Sequence, residues 1–185
     1  MQFSTRTLIA LFISAASATC VFGAAIASKR DVATLRNDVA VISSRINDLD
    51  GGLNAFSENP FYFPGAQDIH AGNVALANSF MKGADDIQSS GNPLNETGGT
   101  DILNSLQAIK APFMSIMDSY ITQRNEFAGV LYTNVIHQDL QNIESETNSF
   151  YSSLMSNVPG ELKQETDSLR SDFENAINSA MSAYD

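Results

Sequence analysis

From residue 31 to residue 56 the chain reads DVATLRNDVAVISSRINDLDGGLNAF, and its apolar positions keep a steady beat. Val32, Leu35, Val39, Ile42, Ile46, Leu49, Leu53 and Phe56 stand alternately three and four residues apart, the spacing of one face of a helix. Such a stripe suits a coiled-coil dimer, an ordinary core, or one wall of a container for something apolar. The segment SENPFYFPG, residues 57–65, stops the pattern with Pro60, Pro64 and Gly65.

A second helical pattern runs through Ile69, Val74, Ala77, Phe80, Met81, Ala84 and Ile87 and ends in the polar connection SSGNPLNETGGT. The third, with Thr100 or Asp101 as its expected N-cap, carries Ile102, Leu103, Leu106, Ile109, Phe113, Ile116, Met117 and Tyr120 on one face. Pro112 is expected to kink it or end its first half. A long fourth segment holds Phe127, Val130, Leu131, Val135, Leu140, Ile143, Thr147, Phe150, Tyr151 and Leu154, with no clear Gly or Pro signal marking where it begins. Val158-Pro159-Gly160 sets the last boundary, and Leu162, Thr166, Leu169, Phe173, Ile177, Ala180 and Tyr184 form the closing stripe.

No segment alternates with period two. The expected fold is therefore all-α, a single antiparallel bundle of about five amphipathic helices in which each stripe needs the others for burial. A dimeric coiled coil is disfavoured, because four further stripes in the same chain can cover the first and Gly51-Gly52 interrupts its regularity.

The N-terminal residues change the composition that matters. Arg6, an apolar run from Leu8 to Val21 and the triplet Ala25-Ile26-Ala27 have the layout of a secretory signal peptide over residues 1–27. Lys29-Arg30 is a dibasic pair suited to further processing, which leaves residues 31–185 as the bundle domain. The one cysteine, Cys20, lies in the leader, so the mature protein is expected to have neither disulfide nor thiol chemistry. The net charge of −11 becomes more negative once Arg6, Lys29 and Arg30 are removed, which argues against nucleic acid and anionic membranes as partners. The polar C-terminus carries no hydrophobic tail for a lipid anchor, and no transmembrane anchor is expected. Asn95-Glu96-Thr97 is a candidate N-glycosylation site in a surface connection.

Catalytic and metal chemistry find little support. The two histidines, His70 and His137, provide no zinc motif, and no G-x-S-x-G elbow supplies a nucleophile. His137-Gln138-Asp139 could hint at a base and its orienter, yet residues two apart on a helix point to different sides. Asp48-Leu49-Asp50-Gly51-Gly52 fails the calcium-loop pattern at its third carboxylate and at its glycine. No metal, no cofactor and no catalytic residue is therefore assigned.

What remains is apolar. Eleven phenylalanines and six methionines occur without a tryptophan. Leu35, Ile42, Leu49, Phe80, Leu106, Phe113, Met117, Leu140, Phe150 and Phe173 are the candidates for lining an apolar cavity. Methionine and phenylalanine suit a cavity that adapts to a flexible chain, but composition alone favours plain core packing.

The secretory leader, Lys29-Arg30-Asp31, the stripe VATLRNDVAVISSRINDLDGGLNAF and the closing VPGELKQETDSLRSDFENAINSAMSAY together resemble the fungal hydrophobic surface-binding protein A family, also known through cell-wall galactomannoproteins. The likeness extends from about residue 29 to residue 184 and rests on apolar spacing. It implies a secreted, non-enzymatic helical protein, extracellular or wall-associated. Some members enclose fatty acids in the centre of a five-helix bundle, and others adsorb to hydrophobic surfaces and recruit polyester-degrading hydrolases. The resemblance thus implies a fatty acid or other lipid as ligand, or alternatively an adsorption scaffold or structural wall mannoprotein with no internal ligand. Phe61-Tyr62-Phe63, set between two prolines, departs from the short polar connection expected there. These aromatics are candidates for a lid or an adsorption patch, or for a satellite core under the loop.

Overall fold

A computed structural model describes residues 16–60, 62–91 and 93–185, with side chains described from Val32 onward. The expected leader over residues 1–27 lies outside the residues whose side chains are described, as does the dibasic pair. The helices are α1 (Ala16–Glu58), α2 (Phe63–Ser89), α3 (Glu96–Thr122), the short α4 (Arg124–Gly129), α5 (Thr133–Asn157) and α6 (Lys163–Ser182), with a 3-10 turn at Gly160–Leu162. No strand occurs among the described residues.

Consecutive long helices run antiparallel, and their lateral order closes a ring: α1 packs on α2, α2 on α5, α5 on α6, α6 on α3, and α3 on α1. The stripe that opens the domain faces the inside of this ring. Leu35, Val39, Ile42, Ile46, Leu49, Leu53 and Phe56 are all buried. Gly51 and Gly52 do not break α1, because burial of Leu49, Leu53 and Phe56 on either side outweighs the poor helix propensity of two glycines.

The inner face of α2 is turned relative to the expected one. Val74 and Met81 are 41 % and 43 % exposed, whereas Asn73, Leu76 and Gly83 are buried beside the expected Ile69, Ala77, Phe80, Ala84 and Ile87. The true stripe is Ile69, Asn73, Leu76, Phe80, Gly83 and Ile87, which hides a polar residue and a glycine. Gly83 is required there by close approach, since a Cβ at that position would lie 2.8 Å from the ring of Phe150 on α5.

The third helix starts earlier than expected. Asn95, and not Thr100 or Asp101, caps α3, its Oδ1 accepting the N–H of Gly98 at 2.8 Å. Gly98 and Gly99 thereby become part of the helix, where a Cβ on Gly98 would meet Val32 and one on Gly99 would meet Leu162. The helix also runs through Pro112 without ending. Both Pro112 and Ala108, whose carbonyl loses its helical donor, are exposed, so water can satisfy that oxygen.

The break that sequence left unmarked is the segment 123–132. Gln123 and Phe127 are buried, while Leu131 adopts φ 59° and is 90 % exposed, contrary to its expected place on the inner stripe. On α5 it is Ile136, not Val135, that is fully buried. The closing stripe of α6 is buried as expected from Thr166 through Tyr184, with Leu162 packed at its edge.

Candidate functional site

The structure brings the ten interior candidates together. Leu35, Ile42, Leu49, Phe80, Leu106, Phe113, Met117, Leu140, Phe150 and Phe173 are all buried and belong to one hydrophobic core. The ring arrangement explains their size. With neighbouring axes about 9 Å apart, five helices in a regular ring hold their axes about 8 Å from the centre, whereas four hold them about 6 Å away. The wider central column needs large apolar groups to fill it, and phenyl rings fill it here. Phe113 stacks on Phe173 with centroids 4.4 Å apart, Phe80 meets Phe113 and Phe150 edge-on, and Tyr151 joins Phe150 to Phe173.

Two hydroxyls inside this column are unsatisfied. Thr147 and Tyr151 lie one turn apart on α5, neither is exposed, and neither Thr147 Oγ1 nor the Tyr151 hydroxyl has a hydrogen-bond partner. A buried hydroxyl without a partner costs about 1–3 kcal/mol, so a pair of them in an apolar interior calls for a reason. Burial also raises the Tyr151 pKa well above the ordinary phenol range, keeping that group a proton donor. Thr166, the corresponding buried threonine on α6, is satisfied by the Leu162 carbonyl at 2.8 Å.

Sequence reasoning missed a second polar element that links α2, α3 and α5. The Tyr120 hydroxyl donates to Asn73 Oδ1 at 2.5 Å, Asn73 Nδ2 donates to Asp139 at 3.0 Å, and Asp139 receives His70 Nδ1 at 2.9 Å. Burial raises the pKa of Asp139, against which the bonds from Asn73 and His70 lower it. The signal available in the sequence was Asn73 on the Ile69–Leu76 face. Asp139 is thus oriented toward His70, while His137 pairs with Asp185 at 3.6 Å, so His137-Gln138-Asp139 forms no local pair. No cluster of three or more His, Cys, Asp or Glu able to hold a metal exists among the described residues.

Surface clefts lie elsewhere. One of 140 Å³ between α2 and α5 is edged by Asn73, Asn78, Asp139, Asn142 and Glu146, and one of 300 Å³ beside Asn95 is edged by Val32, Arg36 and Asp101. None of the ten interior residues lines either cleft. Of the three loop aromatics, Phe61 lies outside the described residues. Tyr62 and Phe63 are 54 % and 46 % exposed, and Phe63 meets the ring of Tyr132 edge-on at 5.6 Å. Asn95 is exposed.

No helix among the described residues is long and apolar enough to cross a membrane. No curated protein sequence matches the chain significantly. Among solved structures, Afmp4p in complex with palmitic acid is similar with a TM-score of 0.78 and 19 % identity, covering 83 % of this chain and 99 % of that one. Ligand binding domain 1 of the Penicillium marneffei MP1 protein, complexed with arachidonic acids, follows with a TM-score of 0.64, 14 % identity, and 80 % and 96 % of the two chains covered. Domain 2 of that protein, complexed with multiple arachidonic acids, gives a TM-score of 0.64 at 16 % identity over 79 % of this chain and 95 % of that one. At these identities the likeness is one of fold. The model of the hydrophobic surface binding protein A family matches residues 32–156, and the chain belongs to that family.

Proposed function

We propose that this protein binds a fatty acid or a similar single-chain lipid along the axis of its helical ring, without catalysing a reaction. The observation that carries the proposal is the pair of buried, unpartnered hydroxyls of Thr147 and Tyr151 on the face of α5 that also carries Phe150. A carboxylate beside them would accept a hydrogen bond from each hydroxyl. The acyl chain would take the place of phenyl rings of Phe113, Phe150 and Phe173. Each buried methylene contributes about 0.8 kcal/mol, so a long chain supplies on the order of 10 kcal/mol gross toward moving the rings and ordering the lipid. The similar folds are described with palmitic and arachidonic acids, which supports this ligand class.

The experiment is to replace Thr147 with Val and Tyr151 with Phe and to measure displacement of a fluorescent fatty acid together with thermal stability. The proposal expects affinity to fall about tenfold while stability holds or rises, because two unsatisfied groups have been removed. Unchanged affinity would sink it.

A second reading is favoured by one observation, the close stacking of Phe113 on Phe173. In it the interior stays filled, and the protein serves as a wall mannoprotein or as a scaffold that adsorbs to hydrophobic surfaces and recruits secreted hydrolases. Native mass spectrometry of the secreted protein separates the two, since only the first expects a lipid mass that is retained. In both readings the leader of residues 1–27 is removed, processing follows Arg30, the bundle occupies residues 31–185, and Asn95 carries a glycan. The glycan would attach through Nδ2, leaving Oδ1 to cap α3.

A further inference from the structure

Two turns meet at the end of the ring where α1 finishes and α5 begins. Phe56 at the end of α1 stacks on Phe127 of α4 at 4.7 Å, and Phe63 at the start of α2 contacts Tyr132, the residue before α5. Outward from these contacts project Tyr62, Phe63 and Leu131. Among the described residues Leu131 is the most exposed large apolar side chain, and it is held there by a backbone conformation that side chains with a Cβ disfavour. A glycine would adopt that turn freely, so the exposed leucine is not explained by the turn itself.

Several backbone N–H groups of the two turns are already satisfied from within. Tyr62 N–H donates to Asn59 O at 3.0 Å, Gly65 N–H to Tyr62 O at 2.9 Å, Leu131 N–H to Ala128 O at 3.1 Å and Tyr132 N–H to Phe127 O at 2.9 Å. Pro60 and Pro64 have no N–H to satisfy. The two loops themselves, residues 59–67 and 127–138, include no Asp, Glu, Lys or Arg; Glu58, Asp68 and Glu126 border them, and His137 pairs with Asp185 at the start of α5. Apolar side chains pointing outward from loop tips that carry no acidic or basic residue, with N–H groups bonded internally, are conditions under which a protein surface can enter the boundary between lipid head groups and acyl chains. The whole-chain charge of −11 sets the kind of surface, since an anionic layer repels it.

We propose that this end of the ring is a contact face for an uncharged lipid layer, with Tyr62, Phe63 and Leu131 inserted at its boundary. The face does not depend on an internal ligand, and it extends the adsorption patch expected from the first loop alone to a second loop that the sequence placed in the core.

The test is flotation of the full secreted chain with phosphatidylcholine vesicles. Wild-type protein should float with them, and should do so less with vesicles containing phosphatidylserine. Leu131→Gly relieves the backbone strain, so it should keep or raise the thermal midpoint while lowering vesicle partition about tenfold. Adding Tyr62→Ser should abolish flotation. Because the chain has no tryptophan, Leu131→Trp supplies a single tryptophan, whose emission, excited selectively over the tyrosines, should shift to the blue on vesicle addition. Absence of wild-type flotation, equal flotation of the double variant, or an unshifted emission would each overturn the proposal. So would concentration-dependent dimerisation that Leu131→Gly removes, which would assign the face to a second copy. Displacement of a fluorescent fatty acid by the Leu131→Gly protein in vesicle-free solution should match wild type, keeping this outcome separate from that of the internal site.

Discussion

Asp139 on α5 and His70 on α2 are separated by 69 residues in sequence, yet His70 Nδ1 lies 2.9 Å from both oxygens of a carboxylate that is almost fully buried. The contact joins two neighbouring helices of the ring and, through Asn73, reaches Tyr120 on a third. Its cost is the burial of the carboxylate, and that cost has a sign that can be measured.

Burial raises the Asp139 pKa above 3.8, so the folded chain holds this proton more tightly than the unfolded one. The resulting stabilisation is complete below the unfolded value and is lost as pH rises through the folded value. Asp139→Asn should therefore gain stability relative to wild type between about pH 4 and pH 7. Thermal melts at the two pH values check this, and a variant that loses ground as pH rises contradicts it.

Two glycines of the same helical type should respond oppositely to alanine. At Gly83 a Cβ would lie 2.8 Å from the Phe150 ring, which is held by Phe80 and Tyr151, so Gly83→Ala should destabilise by about 1–2 kcal/mol. At Gly51 nothing lies within 4 Å, and Gly51→Ala should stabilise α1 by about 0.5–1 kcal/mol. Urea unfolding of both variants gives the comparison.

Phe173 stacks on Phe113 and contacts Tyr151 in the central column. Its replacement by Ala should cost about 3–5 kcal/mol. If the column is the lipid site, added palmitate should restore more of the lost stability in this variant than it adds to wild type. Calorimetry with and without palmitate measures the difference.

Asn95 caps α3 and, as the proposed glycan acceptor, would have a second, separable role. Thr97→Ala should remove the glycan from the secreted protein and leave the α3 cap intact, while Asn95→Ala should remove both and cost about 1 kcal/mol more. Mass spectrometry and melting temperature together distinguish them.

Residues 31–56 show how much a single chain segment determines by itself. Seven of their inward positions, Leu35 through Phe56, were legible from spacing alone, because a helix places every third or fourth residue on one side whatever it meets. The same local rule located α3 and α6 and the all-α class. It failed where a local pattern had two solutions. Val74 fitted the apolar period of α2 as well as Asn73 did, but the structure turns Asn73 inward, where it bonds Tyr120 and Asp139, 47 and 66 residues away. Leu131 looked like core until a turn in the left-handed region carried it out to 90 % exposure. Periodicity specifies which face of a helix seeks burial. The order of helices around the ring, the width of the column they enclose and the isolation of Thr147 and Tyr151 within it depend on contacts between segments far apart in sequence, so the tertiary structure alone decided them.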